Sequence, residues 1–359
     1  MKIYSENFCA ACYFRSAADY PQKKCLVQLT ERCNLHCKHC FVSSNNQGKD
    51  MEFSDFQGKI VPNFIENQVK KVTLTGGEPF VYPYLLEVVK ALCEKNIKVS
   101  ICTNAVLVTE KFLMEIQAYG LVHFNVSLDG FSSQSHGKFR GNDDPKLFER
   151  IIRNIELISK YGMLNGILVT PNEFSTIDEY RKICEFATQN KAKYVLMNPL
   201  SQFGRGEDSG NLAFTNEKMD ELIRKTMEYN TESMEMVYIR FPNKSRKPLN
   251  GCMAGEITYI FTNGDVAYCP YMVFAAKDKV SIYDYHDFLL GNIFDTNFVW
   301  KDKVSTYKFP VDINDVCKEC SNRECMRGCY AAKISQGKKL DECDAALCPE
   351  RKIKPWESL

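Results

Sequence analysis

The sequence predicts an α/β fold in which six strand–helix units form a partial (β/α)6 barrel, followed by a small cysteine-rich domain with a β-hairpin. The barrel is predicted because short apolar strand patterns alternate with amphipathic helical patterns from residue 25 to about residue 200. The second domain is predicted because this alternation stops near residue 235 and cysteines become frequent after residue 250. Strand–helix alternation is typical of a parallel sheet.

The six strands of the barrel are predicted from apolar runs bounded by turn-forming residues, at 26–29, 71–75, 99–103, 123–128, 166–170 and 194–198. Helices between them are predicted at 85–95, 111–119, 145–160 and 178–189. Parallel strands end at the same edge of a sheet. Polar residues that follow the strands are therefore expected to line the mouth of a TIM-like barrel.

The predicted domain organisation is an N-terminal extension (1–24), the barrel (25–234) and the cysteine-rich domain (235–359). Residues 201–211 are rich in glycine, serine and charge, which predicts a loop, and a helix is predicted at 216–228. Segments 257–262 and 265–268 flank Asn263-Gly264. That dipeptide predicts a hairpin with a type I′ turn.

Composition excludes several classes of function. The formal net charge is +1, from 46 basic and 45 acidic residues, so nucleic acid and membrane lipid are not expected as partners. No membrane span or signal peptide is recognisable, which predicts a cytoplasmic protein. The chain has 17 cysteines. In a reducing compartment so many thiols favour metal ligation over disulfides.

The most informative motif is a cysteine triplet, Cys33, Cys37 and Cys40, which directly follows the first predicted strand. Three thiolates at C-x3-C-x2-C spacing can bind a [4Fe–4S] cluster and leave one iron open to a small chelating ligand. A tetrahedral zinc site is the alternative, because cysteine and histidine at short spacing also suit zinc.

This motif resembles the signature of the radical S-adenosylmethionine (SAM) superfamily, in which an aromatic residue often stands at the position of Phe41. Gly76-Gly77-Glu78-Pro79 resembles the stretch that meets the amino group of SAM in that superfamily. The resemblance implies further SAM contacts from Asn104, Ser127 and Asp129. Asp129, His136 and Arg140 also follow the pattern of peptide-modifying members. For each polar residue taken alone, a cap or turn is the ordinary interpretation.

The C-terminal cysteines resemble a SPASM domain, which binds two auxiliary [4Fe–4S] clusters. The resemblance implies that Cys252, Cys269 and Cys329 bind the first cluster. It implies that the second is bound by Cys317, Cys320 and Cys325 with either Cys348 or Cys343, and Cys348-Pro349 better fits the family's ending. Zinc ribbons are the alternative here.

Two departures from the family pattern concern these clusters. Four residues separate Cys320 from Cys325 where five are usual, and Arg246 and Lys247 stand where a cysteine usually precedes Cys252. The first auxiliary cluster then has three protein ligands and an open iron, or a fourth ligand from Cys9, Cys12 or Cys25.

The resemblance implies an oxidoreductase that cleaves SAM to a 5′-deoxyadenosyl radical, which abstracts hydrogen from a ribosomally made peptide and yields a thioether or carbon–carbon crosslink. The implied partners are the peptide and an electron donor (flavodoxin or ferredoxin). Because only 32 residues precede Cys33, a leader peptide is expected to bind either a separate leader-recognition protein or the barrel itself. One alternative is a SPASM-type dehydrogenase of a sugar, alcohol or tetrapyrrole. The other is a non-catalytic electron carrier or zinc scaffold. No residue is assigned a catalytic role.

Overall fold

The computed structural model describes residues 7–13, 23–300, 309 and 311–350. Its centre is a sheet of parallel strands in sequence order: β1 (Lys23–Thr30), β2 (Val69–Gly76), β3 (Lys98–Thr103), β4 (Val122–Ser127), β5 (Leu164–Val169), β6 (Tyr194–Met197) and β7 (Glu235–Tyr238). The first six strands and the α/β class are those that the sequence predicts. The seventh extends the sheet, because β7 pairs parallel with β6.

The helices that follow these strands pack outside the sheet. Their bounds are α1 (Phe53–Asp55), α2 (Val61–Glu66), α3 (Leu85–Glu94), α4 (Glu110–Gln117), α5 (Lys138–Arg140), α6 (Pro145–Lys160), α7 (Ile177–Gln189), α8 (Asn216–Thr226), α9 (Pro270–Ala276), α10 (Asp315–Lys318) and α11 (Tyr330–Ile334). None of the helices described is long and apolar enough to cross a membrane.

The sequence explains where the main helices begin. Asp144 caps α6 by accepting a hydrogen bond from Lys146 N, and Pro145 occupies its first turn. Thr176 and Glu179 form a reciprocal capping box at the start of α7. These side chains satisfy N–H groups that have no partner within the helix, so the helix starts are set locally.

Strand alternation separates the apolar core from a polar barrel interior. Val72 and Leu74 of β2 are fully buried against the helices, whereas Thr73 between them lines an interior cavity. Strand β3 repeats this pattern, with Ile101 outside and Ser100 inside. Successive side chains point to opposite faces of a strand. The barrel therefore has an apolar outer layer and an interior of small and polar side chains.

The C-terminal hairpin joins the barrel sheet at its other edge. Strand β8 (Ile257–Ile260) pairs parallel with β1, while β9 (Asp265–Ala267) and β10 (Leu289–Asn292) extend the sheet antiparallel. The domain boundary near residue 235 remains a prediction. Strands on both sides of it belong to one sheet.

Two local predictions were wrong. The hairpin turn is not type I′, because only Gly264 has a positive φ (87°) and Asn263 does not. Gly264 N donates to Phe261 O at 2.9 Å, so the turn lies one residue earlier and Gly264 takes the left-handed position after it. The predicted loop after β6 is instead largely a 3-10 helix at Gly204–Leu212. Contacts with the cysteine loop, which no local pattern encodes, stabilise it.

Candidate active site

The cysteine triplet lies on a long loop between β1 and α1, at the carboxyl end of β1. The base of this loop is closed by Asp50, whose Oδ1 accepts hydrogen bonds from Arg32 Nε at 2.9 Å and from Thr30 Oγ1. Within the loop, Cys33 N donates to Asn45 O at 2.8 Å. The loop is therefore held by its own polar groups.

Two distant segments fix the outer side of this loop. Arg205 of the 3-10 helix donates from Nε to Cys37 O at 2.8 Å and from Nη1 to Ser44 O at 2.7 Å. From the other side, Lys38 N donates to Phe139 O at 2.9 Å. Backbone carbonyl and amide groups in a loop need hydrogen-bond partners other than those of a strand or helix. These bonds supply such partners and hold the three cysteines in place.

The thiols of the triplet lie in a partly desolvated, positively charged environment. Burial raises the pKa of Cys33 to about 11 and that of Cys37 to about 12, and the Arg140 guanidinium opposes this effect. Arg140 Nη1 lies 3.8 Å from Cys37 Sγ, and Leu35 N donates to Cys33 Sγ at 3.4 Å. Metal binding here must displace the thiol protons, and these donors favour the charged sulfur.

Gly76 and Gly77 allow the end of β2 to lie directly against the cysteine loop. Gly77 N donates to Thr30 O at 2.8 Å. A Cβ at Gly77 would stand 2.1 Å from Arg32 O and 3.0 Å from Cys33 Cβ. Gly76 has a φ of 154°, and a Cβ there would stand 2.4 Å from Thr30 O. Only glycine permits this close approach.

Glu78 is a buried carboxylate surrounded by donors. It accepts hydrogen bonds from Thr103 Oγ1 and Asn104 N, both at 2.7 Å, and from Phe80 N at 3.1 Å. Burial raises the pKa of Glu78 to about 6, and these hydrogen bonds oppose the rise. Pro79 begins the short 3-10 helix that Glu78 caps. The carboxylate is thus held rigidly next to Cys33.

Asn104 and Ser127 end two neighbouring strands, as predicted, but face different partners. Asn104 Nδ2 donates to Asn34 Oδ1 at 2.9 Å, which joins the end of β3 to the cysteine loop. Ser127 lines the interior cavity from β4. The structure therefore gives Asn104 a contact inside the triplet motif itself.

Asp129 connects β4 to the cysteine loop through Arg140. Its Oδ2 accepts from Arg140 Nε at 2.7 Å and its Oδ1 accepts from Thr170 N at 2.7 Å. Burial raises the pKa of Asp129, but Arg140, together with His39, His136 and the hydrogen bond from Thr170 N, outweighs this and holds the pKa below its usual range. His136 Nδ1 accepts from Asp129 N at 3.0 Å. The three residues of the predicted pattern thus form one network.

A cavity of about 410 Å³ runs through the barrel from this network. It is lined by His39 and Phe41 of the cysteine loop, by inward-facing strand residues such as Ser127, and by Tyr13 and Tyr271. Its volume lies within the range of about 300–1,000 Å³ that is usual for small-molecule sites. The cysteine loop, Asp129 and Arg140 therefore adjoin one enclosed space.

Sequence reasoning missed three features of this cavity. Among the described residues, His39 Nδ1 and Asn198 Oδ1 are buried atoms without a hydrogen-bond partner, and both residues line the cavity. Buried polar groups are normally paired, so these two point to a bound polar molecule. Cys102 also lines the cavity. The position of Asn198 at the end of β6 could have indicated from the sequence that this residue lines the cavity.

The C-terminal cysteines form two separate groups. The first contains Cys252, Cys269 and Cys329, which belong to one apolar cluster with Cys12. The second lines a cavity of about 340 Å³ and contains all the cysteines assigned to the second auxiliary cluster together with both candidates for its last ligand: Cys317, Cys320, Cys325, Cys343 and Cys348.

All 17 cysteines lie in the described part of the chain, and none forms a disulfide. Among the described residues, no three His, Cys, Asp or Glu side chains are close enough to bind a single metal ion. The second group instead surrounds a space of several hundred Å³. Cys25 and Cys184 lie in the barrel core, whereas Cys9 packs beside Cys325.

Comparison with known proteins identifies the barrel. Residues 27–187 match the family model described as the radical SAM superfamily. Among solved structures, Streptococcus suis SuiB bound to S-adenosylmethionine has a TM-score of 0.67 and 17% identity, with 91% of this chain and 77% of that chain covered. At this identity the similarity shows a shared fold.

Curated relatives fall into two functional groups. The chain is 28% identical over 275 residues to the antilisterial bacteriocin subtilosin biosynthesis protein AlbA of Bacillus subtilis, which covers 76% of this chain and 57% of AlbA. It therefore matches just over half the length of AlbA. Mycofactocin maturase MftC of Mycobacterium tuberculosis is 28% identical over 354 residues (92% and 86% covered). The AdoMet-dependent heme synthase of Methanosarcina barkeri is 25% identical over 331 residues (88% and 93%).

Proposed function

Because residues 27–187 form a domain of the radical SAM superfamily, we propose that this chain is a peptide maturase that installs an oxidative thioether or carbon–carbon crosslink. The observation that carries the proposal is the single cavity of about 410 Å³ shared by the cysteine loop and the polar ends of the strands. The similarity to AlbA and MftC supports a peptide as the substrate.

The residues of this site fit a [4Fe–4S] cluster and SAM. Three cysteines on one rigid loop are a suitable donor set for a cluster with one open iron. Gly76 and Gly77 let the end of β2 lie directly against that loop. His39 and Asn198, which each carry a buried atom without a hydrogen-bond partner, line the adjoining cavity. We therefore assign Cys33, Cys37 and Cys40 to the cluster.

When bound, the cluster and SAM supply a 5′-deoxyadenosyl radical that removes a hydrogen atom from an unactivated carbon. The residues of the chain position SAM and the substrate and separate them from water. Glu78 presents a carboxylate suited to an amino group, and Ser127 and Asn104 add polar contacts at the same edge. Asp129 binds Arg140 and Thr170 through its two oxygens and lines the cavity, so we retain it as a proposed SAM contact. The barrel walls exclude water from the cavity.

The crosslink is an oxidation, so the substrate must lose an electron and a proton after the hydrogen atom. We assign Cys252, Cys269 and Cys329 to one auxiliary cluster that accepts this electron. Tyr271, two residues after Cys269, lines the barrel cavity, so this group adjoins the substrate space. We assign the second cluster to Cys317, Cys320 and Cys325 with Cys348 or Cys343, which surround the 340 Å³ cavity.

The proposal includes partners and a location that support this chemistry. An external donor such as flavodoxin or ferredoxin supplies the electron for SAM cleavage. A separate leader-recognition protein presents the peptide. A cytoplasmic location is proposed because reduced thiols are required and none of the cysteines forms a disulfide.

A second candidate is oxidation of a small molecule such as a tetrapyrrole side chain. The heme synthase of M. barkeri favours it, because that match covers 93% of the relative's length against 57% for AlbA. The barrel cavity is also of a size usual for small-molecule ligands.

The experiment compares the two substrate classes with reconstituted, anaerobic protein, SAM and dithionite. One arm contains a deuterated cysteine-containing peptide encoded beside this gene, and the other a tetrapyrrole deuterated on its side chains. We expect deuterium in 5′-deoxyadenosine from the peptide arm, and a peptide lighter by two hydrogen atoms. Deuterium transfer only from the tetrapyrrole would establish the second candidate instead.

Gly77→Ala is expected to impair cluster assembly. The new Cβ would stand 2.1 Å from Arg32 O and must push the cysteine loop away. After reconstitution we expect the loss of about four irons per chain and a fall in SAM cleavage of at least about tenfold. Gly58→Ala is the matched control, because a Cβ there meets nothing within 4 Å. Equal iron content in both variants would contradict the proposed role of this close contact.

Glu78→Gln is expected to weaken SAM binding by about 10- to 150-fold, since a hydrogen bond to a charged group contributes about 1.5–3 kcal/mol. Gln has nearly the same shape as Glu, but its side chain is uncharged and has only one oxygen. It therefore cannot accept hydrogen bonds from both Thr103 and Asn104 and also attract an amino group. Binding is measured by equilibrium dialysis with labelled SAM. Glu87→Gln on the exposed side of α3 is the control, and unchanged affinity in Glu78→Gln would remove Glu78 from the SAM site.

A further inference from the structure

The N-terminal segment around Cys12 is built into the C-terminal cysteine region. Cys9 N donates to Pro248 O at 2.8 Å, and Asn250 N donates to Cys9 O at 3.1 Å. The two segments thus form a short parallel bridge. Asn250 Oδ1 then accepts from both Ala11 N, at 2.6 Å, and Cys12 N, at 3.2 Å. This pairing places Cys12 next to the residues that precede Cys252.

Arg240 holds the other side of the same segment. Its backbone N donates to Ala10 O at 2.6 Å and its Nη1 donates to Ala11 O at 3.3 Å. The guanidinium also pairs with Asp344 and lies 5.5 Å from the ring centroid of Tyr13. Residues 9–13 are therefore fixed between the end of β7 and the C-terminal region.

The thiols that this arrangement brings together are those of Cys12, Cys252, Cys269 and Cys329. Cys12 and Cys329 belong to one apolar cluster against which Cys252 packs, and the Cys12 thiol lies near enough to those of Cys252 and Cys329 to interact with both. Cys269 lies near enough to Cys12 and Cys329 to interact with both electrostatically. Cys12, Cys269 and Cys329 are at most 8% exposed.

The other two N-terminal cysteines do not join this group. Cys25 lies in β1 and is fully buried in the barrel core. Cys9 packs with Leu249, Leu347 and Cys325 in a different cluster. Of the three cysteines that could complete the set, only Cys12 reaches it.

We propose that Cys12 is the fourth protein ligand of the first auxiliary cluster, in place of the cysteine that is absent before Cys252. This inference rests on the proposed function, which assigns that cluster to Cys252, Cys269 and Cys329. Four thiolates complete the coordination of a [4Fe–4S] cluster. The cluster then has no open iron, so it accepts an electron from the substrate without binding it. Metal loading also fixes residues 9–13.

The test uses a background variant in which Cys33, Cys37 and Cys40 are alanine, so that only auxiliary clusters contribute signal. This background is expected to hold about 8 irons per chain. Adding Cys12→Ala is expected either to lower the count to about 4, or to leave a cluster whose EPR signal now changes when imidazole is added. Adding Cys25→Ala is the matched control and is expected to change neither iron count nor EPR signal.

Further variants separate loss of a ligand from loss of folding. Cys12→Ser keeps a potential oxygen ligand and is expected to retain the cluster with a shifted EPR signal. If the Cys12→Ala variant has the same iron count as the Cys25→Ala control and the same imidazole-insensitive EPR signal, Cys12 is not a ligand of the cluster. If the background variant binds no iron, the chain has no auxiliary clusters. SAM cleavage by the wild type would be unaffected by that result.

Discussion

Simultaneous replacement of Cys33, Cys37 and Cys40 by alanine is expected to abolish formation of 5′-deoxyadenosine from SAM. The three thiols are the proposed ligands of the only cluster next to Glu78, and without that cluster no electron reaches SAM. Iron content is expected to fall from about 12 to about 8 per chain, since each cluster contains four irons. The measurement is anaerobic reconstitution followed by iron analysis and chromatography of the nucleoside product.

A matched control removes the same number of thiols from the barrel core. Cys25, Cys93 and Cys184 are buried among apolar side chains, and their joint replacement by alanine is expected to leave iron content and SAM cleavage unchanged. Cleavage that survives in the Cys33, Cys37 and Cys40 variant would refute the cluster assignment. Zinc in place of iron in the wild type would favour a zinc scaffold.

Asp344→Asn is expected to destabilise the region that joins the barrel to the C-terminal cysteines. Asp344 and Arg240 form an ion pair with side-chain exposures of 1% and 7%. Removing one charge leaves the other buried and unpaired, which costs about 3–5 kcal/mol. A chain of this size need not unfold in a single step, so the effect is expected in the urea transition that includes residues 311–350. Circular dichroism measures this transition, and protease cleavage sites show which residues unfold in it.

The control for this prediction is an ion pair at the surface. Lys90 and Glu115 are 2.8 Å apart with side-chain exposures of 38% and 32%, so Glu115→Gln is expected to leave the urea transition almost unchanged. Similar effects of the two substitutions would mean that Arg240 finds another partner or water when Asp344 loses its charge.

Local patterns were sufficient for the barrel and for the motif that follows β1. Helix α6 has the bounds predicted from its sequence, because Asp144 and Pro145 set its start locally. The six barrel strands were predictable since β-branched and apolar residues alternate along them. The Cys33, Cys37 and Cys40 motif is contiguous, so its spacing alone indicates a cluster-binding loop.

Features that depend on distant segments could not be predicted in the same way. Residues 204–212 form a 3-10 helix because Arg205 and Ser209 bond to the cysteine loop, more than 160 residues away in the chain. Asp129 was predicted as a SAM contact. That contact stays a prediction, whereas the bonds of its two oxygens to Thr170 and Arg140 could be seen only in the assembled barrel.

The sequence by itself determined the α/β class, the order of the barrel strands, the grouping of cysteines into motifs and the resemblance of the barrel to the radical SAM superfamily, because each is encoded in residues that are close in the chain. Tertiary structure decided which separate segments meet: β8 beside β1, Arg205 on the cysteine loop, and Cys12 beside Cys252 and Cys329. The physical reason is that such contacts depend on the combined packing and hydrogen bonding of segments up to about 300 residues apart, for which no single local pattern exists.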